Sequence, residues 1–152
     1  MGNIDDMKQS FLVVAGALMV ASCVKSPTSN NATPVSIGGG WTFVATVTFG
    51  AATCKATAAV AVSQAGTDFT GNPSSSSDSC TPTSASTTYA FNASIGGNVN
   101  GAAISFSSAN GCTFIGAANA QQATQMSGTF SCNPAFTIDT SKVSGGSWQA
   151  TR

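Results

Sequence analysis

Ile104-Ser-Phe106-Ser-Ser-Ala-Asn110-Gly111-Cys112-Thr-Phe114 decides the fold. Apolar and hydroxylated residues alternate with the period of two that a half-buried strand requires, on both sides of an Asn-Gly pair that supplies the positive φ of a hairpin turn. A two-residue turn sets Phe106 opposite Ile115 and leaves Phe114 on the other face. A three-residue loop with Gly111 in a bulge sets Phe106 opposite Phe114, and is preferred because a slip of one residue turns a whole apolar face outward. Upstream, Tyr89, Phe91, Ala93 and Ile95 alternate towards a second pair, Asn100-Gly101. As a two-residue turn it places Ile95 opposite Phe106 on the same face.

Downstream, the polar loop Asn119 to Gln125 is centred near Gln122, which pairs Phe114 with Phe130 and Cys112 with Cys132. Two independent features thus agree on one register, with Cys112–Cys132 as a cross-strand staple. A hairpin centred near Gly66-Thr67 brings Cys54 to Cys80 by the same arithmetic. Four such cysteines, in a compartment that permits oxidation, imply two disulfides, each contributing about 2–4 kcal/mol. A four-cysteine metal site is disfavoured, since no C-x₂-C knuckle and no histidine is present.

Working outward, Trp41, Phe43, Ala45, Val47 and Phe49 alternate with threonines, and Ala58, Val60 and Val62 repeat the period between Ala56 and Gln64. Pro73 to Thr88 reads as a Ser/Thr-rich loop, too polar and proline-rich for a core strand. Gly145 to Arg152 is a last strand, and Phe136 to Ile138 a short extra one. The expectation is an all-β antiparallel meander of about eight strands closing into an up-and-down barrel, with a β-sandwich as the alternative. Its inward set is Trp41, Phe43, Val47, Phe49, Val60, Val62, Phe69, Phe91, Ile95, Ile104, Phe106, Phe114, Phe130 and Trp148.

The first residues carry an address. The apolar run from Phe11 is about 14 residues long, short of the roughly 20 a membrane-spanning helix needs, and it ends in Val20-Ala21-Ser22-Cys23. That ending resembles the lipobox of bacterial lipoprotein signal peptides, whose cysteine is acylated and becomes the first mature residue. The implied organisation is a signal peptide over 1–22, a flexible lipid-anchored tether over 23–37 and a barrel domain over 38–152. Met7-Lys8 makes a better basic start than Met1 to Asp6, which carries Asp5 and Asp6. The expected location is the bacterial cell envelope, with the membrane as partner through Cys23.

Charged residues are 7% of the chain, against roughly 25% in a typical soluble protein, and histidine is absent. Lys25, Lys55, Lys142 and Arg152 are scattered, which argues against nucleic acid as a partner, since counterion displacement needs a dense basic patch. Asp68, Asp78 and Asp139 are the only mature carboxylate side chains, no G-x-S-x-G or S-x-x-K motif is present, and the glycine patches lack the context of a phosphate loop. No enzyme activity and no cofactor are expected.

Gly39-Gly40-Trp41 before the first strand and Arg152 at the end of the last resemble the lipocalin and calycin signature, in which an arginine packs across a tryptophan at one end of the barrel. The order Gln64-x-Gly66, Phe69-Thr-Gly71, Ile95-Gly-Gly-x-Val99-x-Gly101, Met126-Ser-Gly-Thr-Phe130 and Gly146-x-Trp148-x-Ala-Thr-Arg152 is similar to small bacterial lipocalin-like lipoproteins. The resemblance implies a closed barrel and brings no activity. Trp41, Tyr89 and Trp148 are the candidates to line a cavity for a small apolar ligand. The other expectation is a filled core, in which the protein serves as a structural or interaction module for an envelope partner.

Overall fold

The computed structural model describes residues 32–83, 91–138 and 141–152. They form eight antiparallel strands: β1 (Gly39–Phe49), β2 (Ala52–Ala65), β3 (Asp68–Thr81), β4 (Ile95–Asn100), β5 (Ala103–Ser108), β6 (Cys112–Ala118), β7 (Gln125–Ile138) and β8 (Ser141–Thr151). Each strand pairs with the next, and β8 returns to β1 through Ala45 opposite Trp148 and Phe43 opposite Ala150, closing the barrel. Closure excludes the sandwich.

The registers follow the alternation. Phe106 lies opposite Phe114 across a three-residue loop in which Gly111 has φ +90°, and Phe114 lies opposite Phe130. Both disulfides form as expected, Cys54–Cys80 and Cys112–Cys132. One turn differs. The loop residues after β4 are Gly101 and Ala102, so Ile95 faces Ser108 and Gly97 faces Phe106. The displacement is two residues, which keeps every side chain on its expected face.

Other departures have local causes. The Ser/Thr-rich stretch expected as a loop from Pro73 is strand as far as Thr81, because β2 templates it and the Cys54–Cys80 bond clamps its far end. Pro73 is accommodated beside a register shift, where a missing ladder donor costs least. Residues 84–90, including Tyr89, lie outside the described residues. Phe91 is buried but precedes β4. Phe136 to Ile138 continues β7 past an irregularity, and β8 starts at Ser141 instead of Gly145.

Of the expected inward set, Phe49 is overturned: it is 48% exposed, since β1 has run past the barrel rim at its last residue. The folded unit also begins before Gly38. Val35 and Ile37, assigned above to the tether, are buried core residues. Val35 N–H donates to Gly101 O, Ser36 N–H donates to Gln121 O, and Ser36 bridges Gln122, so this segment crosses one end of the barrel.

Rings fill the interior. Phe106 and Phe114 stack at 4.5 Å between centroids and 3° between planes, and Phe114 and Phe130 at 5.2 Å and 22°. Phe43 and Trp148 stack at 5.9 Å, and Phe91 meets Phe114 edge-on at 5.5 Å. Truncating Phe114, which is fully buried at the centre of this cluster, should cost about 3–5 kcal/mol as Phe114→Ala. The exposed Phe49→Ala should stay within about 0.5 kcal/mol, both variants being measured by urea titration.

Candidate functional site

Trp41 enters the interior from β1 near the end crossed by Val35 to Gly38, and its indole Nε1–H donates to Ile37 O at 2.7 Å. The Arg152 guanidinium carbon lies 4.7 Å from the Trp41 ring centroid, within the range of a cation–π contact. Arg152 also donates from Nη1 to Gly38 O at 2.7 Å and from Nη2 to Ser36 O at 3.4 Å. One planar side chain thereby ties the last strand to the segment before the first. Gly39 makes room for it: its φ is +124°, and a β-carbon there would stand 3.3 Å from Arg152 Nη1.

Gln64, the first residue of the Gln-x-Gly element of the resemblance, completes the seal, a role its sequence context did not disclose. Its Oε1 accepts from Ile37 N–H at 2.6 Å, and its Nε2 donates to Val35 O and Gly66 O, each at 3.0 Å. A buried segment with few ladder partners needs such acceptors and donors. Its place in Gln64-x-Gly66, just ahead of the turn, was the signal for it.

Trp148 is core. It is 3% exposed, and its Nε1–H donates to Ile115 O at 3.2 Å. It lies in one cross-strand row with Gly128 and Gly116. A β-carbon on Gly116 would come within 2.7 Å of the indole and 2.1 Å of Ser127 O, so the glycine leaves the space the ring occupies. Trp41 is likewise 3% exposed. The two indoles therefore pack as filling; Tyr89 and Cys23 lie outside the described residues.

Among the described residues the ionisable groups do not converge. Asp68 accepts from Asn98 Nδ2 at 3.0 Å at one end of β3, while Asp78 lies ten residues further along the same strand, about 33 Å away. Lys142 donates to Thr137 Oγ1 at 3.1 Å on the β7–β8 hairpin. Asp139 lies outside the described residues. Asp78 stands opposite Ala56, and partial burial pushes its carboxyl above the usual range. Among the described residues no group of three or more metal-ligating side chains is found.

Among the described residues, hollows open on the outside of the barrel. One of about 430 Å³ lies over β1, β8 and β7, one of about 340 Å³ adjoins it along β6 to β8, and one of about 260 Å³ lies over β4 to β6. Compared with protein-family models, curated proteins and solved structures, the chain finds no significant match. The architecture itself, an eight-stranded antiparallel closed barrel, is consistent with a lipocalin-like fold.

Arg152→Ala should lower stability by about 1–2 kcal/mol, with Arg152→Lys recovering part of it, because lysine keeps charge but loses the planar fork. Chemical denaturation followed by tryptophan emission measures both. For Asp78 the raised folded-state value means that the protonated form favours folding, and that contribution is lost as pH rises through the folded value. Asp78→Asn should therefore raise the melting temperature slightly at neutral pH and leave it unchanged in acid, as read by calorimetry.

Proposed function

We propose that this protein is an exported, lipid-anchored member of the lipocalin-like barrels that acts through its outer surface, as a non-enzymatic interaction module of the cell envelope. One observation carries the choice against an interior carrier. Phe43, Phe69, Phe91, Phe106, Phe114, Phe130 and Trp148 occupy the barrel in mutual ring contact, where a carrier would hold its ligand. An apolar ligand would have to displace rings whose packing is the core itself.

Export is supported by the two disulfides, which persist in oxidising compartments. Anchoring rests on Cys23 following the apolar run, and the relationship to lipocalin-like barrels on the closed meander and the Arg152–Trp41 stack. The bilayer is then one partner and an envelope component the other. Neither a cofactor nor nucleic acid enters this reading.

Metabolic labelling with a tagged fatty acid tests the anchor. The full chain should take up label and fractionate with membranes, and Cys23→Ala should abolish both. Label retained on Cys23→Ala would refute the assignment. Native mass spectrometry of the purified protein should show the polypeptide and its acyl groups alone; a co-purified apolar molecule would restore the carrier.

A further inference from the structure

We propose that the outer wall of β1, β8 and β7 binds an uncharged carbohydrate chain. This deepens the outer-surface reading and rests on it. Two of the hollows share Ser127 and Gln149 and so form one continuous trough. The larger part is bordered by Thr46, Thr129 and Ser147, the smaller by Asn119, Gln125 and Thr151. No lining residue is ionisable. Hydroxyls and carboxamides both donate and accept, which is the complement of a sugar hydroxyl.

The register arranges these groups as a lattice. Thr46, Ser147 and Thr129 are direct neighbours in one row, and Val44, Gln149 and Ser127 in the row two residues along. Strands lie about 4.8 Å apart, and successive outward side chains along a strand about 6.6 Å apart, the scale on which hydroxyls recur along a chain of sugar rings. Ile115, 58% exposed, stands opposite Thr129 at the margin and offers aliphatic surface to a ring's C–H face.

Charge selects among occupants. A phosphate or carboxylate ligand would lose hydration and meet no cation in the trough. A protein partner would be expected to find large exposed anchors at the centre of its footprint. Among the described residues the exposed large apolar side chains are Ile115 and Phe49, and Phe49 lies away from the trough at the rim. A neutral polyhydroxylated chain fits what remains.

Trp148 borders the larger hollow from beneath, so occupancy should register in its emission. The full-length protein in detergent would be titrated with cellohexaose, maltohexaose and chitohexaose, and with an oligogalacturonate as the charged comparison. Tryptophan emission and amide chemical shifts would be followed together. At least one neutral hexasaccharide should saturate with a Kd at or below ~1 mM, shifting amides of β7 and β8. Gln149→Ala and Thr129→Val should each weaken it about tenfold, while Ser107→Ala, on β5 across the barrel, should leave it unchanged. The proposal fails if none of the neutral chains binds, if the charged oligomer binds better, or if the shifts map elsewhere. It fails equally if a photo-crosslinker at Gln149 captures an envelope protein whose binding the sugars do not displace. An apolar ligand found by native mass spectrometry would instead mark failure of the filled-interior reading, which the titration does not depend on.

Discussion

Rings one strand apart hold this barrel together. No leucine occurs after Leu18, and the inward positions of the strands hold many small residues, so bulk must come from a few aromatic side chains set among alanines and glycines. Phe106, Phe114 and Phe130 provide it in one row, flanked by Gly97 and Gly146 on the neighbouring strands. The next row repeats the device with Trp148 beside Gly128 and Gly116. Large against small across facing positions is how a narrow barrel reaches interior packing density, and it leaves each ring one place to lie.

Closure is the second constraint. A chain with so few charges cannot guard exposed strand edges by repulsion, so pairing β8 with β1 removes the hazard by geometry. The ends need separate closure. At one end Val35 to Gly38 lies across the mouth under Arg152 and Gln64. Both disulfides lie towards the other, near the turns that begin β2 and β6.

Most of this was legible because period-two alternation and cysteine spacing report the same register. Phe114 opposite Phe130 and Cys112 opposite Cys132 could be read together, because one loop centre near Gln122 satisfies both pairs. The Asn100 hairpin was displaced by two residues because either Asn100-Gly101 or Gly101-Ala102 can supply the positive φ, and both choices keep the faces. The serine run of β3 was opaque since nothing in Ser74 to Ser79 favours a strand; its neighbour β2 does. Val35 and Ile37 were hidden by polar, proline-containing surroundings that look like tether. The Arg152–Trp41 contact was readable from the resemblance alone, whereas the outer trough required coordinates, because its residues are remote in sequence and chemically plain.

The seal also places the start of the described chain. Ala32 O accepts from Gly101 N–H beside that mouth, so the first described residue stands at the Trp41 and Arg152 end. The trough over β1, β7 and β8 runs along the side wall between this end and the disulfide end. A surface in that position is open along its length, whereas the mouth at the sealed end is crossed by Val35 to Gly38.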